Sequence, residues 1–140
     1  MKQRHSYSRL LFHLVFSTKA RGRLIEPADE AVLRGWFEVK AHELDSCIEE
    51  FGCFYDHVHL LVRSRPTLLL AELYRQLKGF SSRAWHIKFP ERPFAWADGV
   101  YSATVDPEDN QGLREYIKNQ RAHHAAKTEM RRWEPDETSP

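Results

Sequence analysis

The seven residues Asp56-His57-Val58-His59-Leu60-Leu61-Val62 leave this chain little choice of conformation. Side chains alternate along an extended strand, so Val58, Leu60 and Val62 fall on one face and His57 and His59 on the other. The first face is apolar and asks for a core. The second carries two imidazoles on a rigid backbone, which is half of a divalent-metal site lacking a third ligand from elsewhere. The competing reading is a chance H-x-H on a strand, because short motifs match often. The preceding run, residues 47 to 55, also has strand composition and is joined to the histidine strand almost directly, so the two predict a close hairpin, with Gly52 as a bulge.

Around that hairpin the other elements follow from pattern. Leu10 to Ser17 reads as a first strand, in which His13 is expected to be an ordinary strand histidine rather than a third ligand. Lys19, Arg21, Gly22 and Arg23 form a basic loop, with Gly22 supplying the turn. From Pro27 to about Leu44, Leu33, Trp36, Phe37, Ala41 and Leu44 recur at helical spacing, and Glu26, Asp29 and Glu30 suit the positive end of the helix dipole. Pro66 and Thr67 announce a second helix, with Thr67 as N-cap, Leu70, Leu73, Tyr74, Leu77 and Ala84 on its buried stripe, and Gly79 permitting a close approach. Arg75, Lys78 and Arg83 lie off that stripe, as a solvated face or a path for a nucleic-acid backbone. A Pro-rich loop leads to a fourth strand over residues 100 to 105, and Asp106-Pro107-Glu108-Asp109 has the signature of a helix start. On that last helix Tyr116 and Gln120 share a face.

The order strand, helix, strand, strand, helix, strand, helix predicts an α+β fold of the ferredoxin-like, split βαβ kind. Its antiparallel sheet carries helices on one face, and a C-terminal helix carries Tyr116. With 140 residues, 41% hydrophobic and 29% charged, the chain has the makings of one globular domain, expected over residues 1–130, with 131–140 a flexible tail. No apolar run is long enough for a membrane span and none resembles a leader, which makes the expected location cytoplasmic. Cys47 and Cys53 are expected to be reduced, structural thiols. A zinc site of Cys53, His57 and His59 ranks below a His-His site, because the chain reverses near Asp56 and no second cysteine pair completes a zinc motif. The net charge is only +1, yet residues 1–25 hold six bases and no acid, and residues 57–92 hold seven bases against two acids. A basic block around the histidine pair suits a protein that grips a phosphate backbone on one side.

Taken together, Leu11-Phe12-His13-Leu14-Val15-Phe16, Asp56-His57-Val58-His59-Leu60-Leu61-Val62, Leu77-Lys78-Gly79-Phe80-Ser81-Ser82 and Tyr116-Ile117-Lys118-Asn119-Gln120, with His123-His124 behind them, form an ordered set. This set resembles the small single-strand-DNA insertion-sequence transposases of the HUH class. The class is named for two histidines flanking a hydrophobic residue, uses one catalytic tyrosine, and has the REP-associated tyrosine transposases among its relatives. H-x-H alone is common; the order of the set carries the resemblance.

The resemblance implies a metal-dependent nuclease and strand transferase acting on hairpin-marked, single-stranded ends of a mobile element. Carried over residue by residue, His57 and His59 would bind Mg²⁺ or Mn²⁺, Gln120 would complete the metal site, and Tyr116 would be the nucleophile. The product would be a 5′-phosphotyrosine with a free 3′-hydroxyl. It further implies a homodimer in which residues 106–127 are exchanged, so that the tyrosine helix of one subunit completes the histidine site of the other. Two other readings stay open. One is a domesticated REP-associated relative with the same core; the other is a non-catalytic single-strand-binding module in which Phe12, Phe16 and Tyr55 stack bases.

Overall fold

The computed structural model describes residues 9–126. Residues 1–8 of the basic N-terminal stretch, the expected tail at 131–140 and the side chain of His123 lie outside the described residues. Four strands, β1 (Leu10–Ser17), β2 (Cys47–Phe54), β3 (His57–Ser64) and β4 (Tyr101–Thr104), form one antiparallel sheet in the order β2-β3-β1-β4. That is the strand order of the split βαβ arrangement, and only Tyr55 and Asp56 separate β2 from β3. Helices α1 (Glu30–Glu43) and α2 (Leu70–Lys88) run between the strand pairs, and α3 (Asn110–Lys118) and α4 (Gln120–Ala126) follow β4.

Alternation divides the sheet as the sequence predicts. Leu14 and Phe16 from β1, Phe51 and Cys53 from β2, and Val58, Leu60 and Val62 from β3 join Leu33, Phe37, Leu73, Leu77 and Trp85 of α1 and α2 in the main core. Phe12 packs there too, so Phe12 and Phe16 face helices and offer no platform for bases. The opposite face bears a separate, smaller cluster, in which Leu11 and Leu61 meet Leu113 and Ile117 of α3. Helices therefore cover both faces, two of them on the core side and the tyrosine helix on the histidine side.

Several local expectations are corrected. Residues 27–29 form a single 3₁₀ turn ahead of α1, and the Asp29 carboxylate, 4% exposed, is held by Arg92 at 2.6 and 2.9 Å. It therefore serves as one half of an ion pair with a distant loop as well as a charge at the helix start, where its Oδ2 also accepts from Glu26 N at 2.9 Å. The basic loop turns at Ala20 and Arg21, both with φ of 55°, while Gly22 is extended at φ −62°. Thr67 does not cap α2, which begins after Leu69; the residues from Arg65 to Leu68 make a turn of their own. The buried stripe of α2 is Leu73, Leu77, Ser81 and Trp85, a strict i+4 row. Ser81 fits this row because its Oγ donates to Leu77 O at 2.8 Å and accepts from Trp96 Nε1 at 3.0 Å. A Cβ on Gly79 would meet nothing within 4 Å, so no element approaches it. Asp106 to Asp109 form a turn in which Asp106 Oδ1 accepts from Glu108 N, and the helix proper starts at Asn110. The β2 bulge lies between Ile48 and Glu50 rather than at Gly52.

Candidate active site

His57 and His59 leave β3 on the face away from the main core and are nearly inaccessible, at 1% and 0% exposure. Their ring centroids are 5.1 Å apart. Each Nδ1 is engaged: Asp56 Oδ1 lies 2.8 Å from His57 Nδ1, and His13 Nε2 lies 2.8 Å from His59 Nδ1. A ligating imidazole is ordinarily fixed through its other nitrogen in this way, which selects the tautomer and the ring plane. Asp56 is itself anchored by Arg21 Nε at 3.2 Å. Burial pushes the Asp56 carboxyl up, but its hydrogen bond to His57 and the nearby Arg21 outweigh burial and hold it below the ordinary carboxylate value.

His13 reaches this position because antiparallel register sets Val15 opposite His59, placing His13 on the same face one diagonal step away. The two imidazoles stack at 5.1 Å and 22°, and Tyr101 of β4 meets His13 edge-on at 5.4 Å. His13 is thus a partner of the histidine pair, not an isolated strand residue. Parity along β1 could have suggested this, but only once the register between β1 and β3 was known.

Helix α3 lies across the same face, and Gly52 makes that possible. Gly52 pairs directly with His59, and a Cβ built on it would fall 1.8 Å from Ile117 O and 3.1 Å from Gln120 Cγ. The missing side chain lets the end of α3 rest on the backbone of β2, which is why a glycine stands in mid-strand. Leu113 and Ile117 seal the contact. Tyr116, 3% exposed, then stands edge-on to His59, with ring centroids 6.2 Å apart. The helix breaks at Asn119, so Gln120 opens α4, yet Gln120 keeps its turn-to-turn relation to Tyr116 by donating from Nε2 to Tyr116 O at 3.2 Å. Its Oε1 is buried and has no hydrogen-bond partner among the described residues. A buried amide oxygen without a donor is costly, and a cation is one group that would satisfy it.

All four residues singled out in the sequence, His57, His59, Tyr116 and Gln120, therefore lie together on one face of the sheet. Cys53 does not join them: it pairs with Val58 and points into the main core, where burial, with Glu30 adding to it, pushes its thiol up to about 12. Both cysteines are free thiols. Among the described residues no group of three or more His, Cys, Asp or Glu is placed to hold a metal ion, and the buried Gln120 amide oxygen is a further donor atom on the histidine face. His124 of α4 closes the outer side, 4.9 Å from the His57 ring and stacked on Phe54 at 4.4 Å. Lys78, a possible contact for nucleic acid on sequence grounds, instead donates to Ala97 O and Asp98 O, and burial lowers its pKa. Arg75 is paired with Glu72 on the surface of α2. No helix among the described residues is long and apolar enough to cross a membrane.

Comparison with known proteins bears on the family and the fold. The chain is 29% identical over 119 residues to the transposases for insertion sequence element IS200 of Salmonella typhimurium and Salmonella typhi, covering 78% of this chain and 75% of each relative. Its fold is similar to that of a protein of Deinococcus radiodurans R1 described as a candidate transposase, with a TM-score of 0.68 and 24% identity, covering 86% of this chain and 97% of the other. It is also similar to that of the REP-associated tyrosine transposase bound to a REP hairpin, with a TM-score of 0.65 and 12% identity, covering 89% and 74%. A family model described as transposase IS200 like matches residues 6–120, which include His13, His57, His59, Tyr116 and Gln120. The chain belongs to the IS200-like transposase family.

Proposed function

We propose that this transposase cleaves and rejoins single-stranded DNA through a covalent bond to Tyr116. The observation that carries the reading is the seating of α3: Gly52 admits the helix end, which sets Tyr116 edge-on to His59 and brings Gln120 above the strand position facing that histidine. The phenol oxygen of Tyr116 forms a bond to phosphorus and loses its proton. The P–O3′ bond breaks, and the departing strand keeps a protonated 3′-hydroxyl while the 5′-phosphate stays on the tyrosine. Attack by a 3′-hydroxyl on that ester releases the phenol and rejoins DNA, exchanging one phosphodiester for another without an external energy source.

A free phenol, with a pKa near 10, is a poor nucleophile and needs assistance. The donors present fit a divalent ion. With each Nδ1 already engaged, Nε2 of His57 and of His59 are the ligating atoms we assign, and Gln120 Oε1, buried without a partner among the described residues, is the third. When bound, Mg²⁺ or Mn²⁺ supplies polarisation of the phosphoryl oxygens and stabilisation of developing charge. Asp56 and His13 act through the ligands by holding the two imidazoles in orientation. Hairpin-marked single strands are the substrate class assigned here, as a REP hairpin is the ligand of the structurally similar REP-associated protein.

Exchange of residues 106–127 in a homodimer is part of the proposal. In the single chain α3 rests on its own sheet, but its apolar anchors form a cluster separate from the main core. The same contacts can therefore be made by a partner's helix delivered through the turn at residues 106–109, as in a domain swap. Titration calorimetry with Mn²⁺ tests the site. Wild-type protein should bind one ion per site, and the His57→Ala/His59→Ala variant should neither bind it nor cleave. Wild-type cleavage by the double variant would put the chemistry elsewhere.

A further inference from the structure

At the turn between β2 and β3, two arginines meet at one aromatic ring. Arg23 Cζ stands 4.0 Å from the centroid of Tyr55 and 5.9 Å from that of Phe54, and Arg121 Cζ stands 4.9 Å from the centroid of Tyr55. Neither guanidinium has a carboxylate partner among the described residues. Arg121 Nη2 donates weakly to Cys53 Sγ at 3.7 Å, while its Nε and Nη1 are buried and have no acceptor. Asp29 feels the charge of Arg121, but its two oxygens are committed to Arg92. A guanidinium stays charged at any working pH, so donors cut off from both water and acceptors are costly. Arg23 is exposed, but its charge shares the same ring, and the two cations repel each other. The ring quadrupole compensates only in part, and an anion within reach of both side chains offsets the charge and supplies the missing acceptors.

The position of the pair names the anion. Tyr55 lies two residues before His57, Arg121 directly follows Gln120, and the Phe54 ring under Arg23 is 6.1 Å from the His57 ring. Resting on the strand-cleaving reading above, we infer that Arg23 and Arg121, held on Tyr55, form a receptor for one backbone phosphate of the bound single strand, next to the phosphate that is cleaved. Guanidinium suits the task, because its planar donors match phosphate oxygens and carry no base preference. The receptor fixes the strand's register relative to Tyr116 from a point outside the metal site.

The test uses the full chain and single-stranded DNA spanning the genomic flank of its coding sequence, with binding followed by fluorescence anisotropy in EDTA. A set of probes carries one neutral methylphosphonate each, walked across the linkages around the cleaved bond. For wild type, one linkage other than the scissile one should weaken binding about tenfold when neutralised. Arg121→Met should bind about tenfold more weakly, be insensitive to that same substitution, and show a salt dependence shallower by about 0.7 in logarithmic slope, as expected for one lost phosphate contact. Its thermal midpoint should hold or rise, because a cation with two buried, unpartnered donors has been removed. Arg23→Gln, at an exposed residue, should lose sensitivity at the same linkage and carries the test if Arg121→Met does not fold. The receptor is refuted if both variants keep the wild-type interference pattern and salt slope, or if Arg121→Met lowers the midpoint without changing binding. Failure of wild type to bind single strands at all would refute the strand-cleaving reading first, and the receptor with it.

Discussion

Replacing Gly52 by alanine should separate the fold from the chemistry. The added Cβ would lie 1.8 Å from Ile117 O and 2.8 Å from Ile117 C, and both are backbone atoms with no rotamer to yield. Ordinary contact begins at 3.4 Å, so the end of α3 must lift from β2 by about 1.6 Å. The Cβ points to the histidine face, so the main core between the sheet and α1 and α2 is untouched. The stability cost should be that of a local overpacking, about 1–3 kcal/mol, and the variant should still unfold cooperatively in urea. Catalysis should suffer more, because a reacting group displaced by about 1 Å can cost on the order of 100-fold. The assay is cleavage of end-labelled single-stranded DNA in Mn²⁺, with urea unfolding followed by circular dichroism. The same loss is expected whether α3 comes from its own chain or from a partner, since either helix must cross Gly52. A Gly52→Ala protein that is folded and cleaves at the wild-type rate would refute the seating of α3 over the histidines in the active form.

Two further outcomes follow. Mixing His57→Ala subunits with Tyr116→Phe subunits should restore cleavage if the tyrosine helix is exchanged; absence of cleavage in a confirmed heterodimer would assign each site to one chain. The Asp29–Arg92 pair should shape acid stability: the hydrogen bond from Arg92 lowers the Asp29 pKa, so its stabilisation is complete well above the unfolded value near 4 and is lost as pH falls through the lowered folded value. Asp29→Asn should therefore be about 1–3 kcal/mol less stable at pH 7 by urea unfolding, with the two proteins converging in acid; an undiminished gap at acid pH would contradict this.

The fold was legible because periodicity changes type along the chain and the β2–β3 connection is too short for anything but a hairpin. That His57, His59, Tyr116 and Gln120 share one face was legible for a second reason: resemblance supplied their order, and alternation and helical spacing supplied their faces. What was hidden depended on register and on tertiary approach. His13 looks ordinary until β1 is set against β3, and Asp56 until the turn brings its carboxylate to the neighbouring ring. Gly52 reads as a bulge until a helix is laid over it. Thr67 and Asp106 are good caps by composition, but each lies in a turn ahead of the helix it was expected to start. Arg121 gave no sign at all, since a lone arginine after Gln120 differs in nothing from a solvated charge until its two buried donors are seen.

The central claim is that one hydroxyl carries the chemistry, and a denaturing gel tests it directly. Wild-type protein incubated with end-labelled single-stranded DNA and Mn²⁺ should give a slow-migrating protein–DNA adduct joined through a 5′-phosphate. Tyr116→Phe keeps the ring and its packing against His59, so it should fold, bind metal and bind DNA, yet form no adduct. An adduct formed by Tyr116→Phe, or wild-type cleavage that leaves only free ends, would contradict the account.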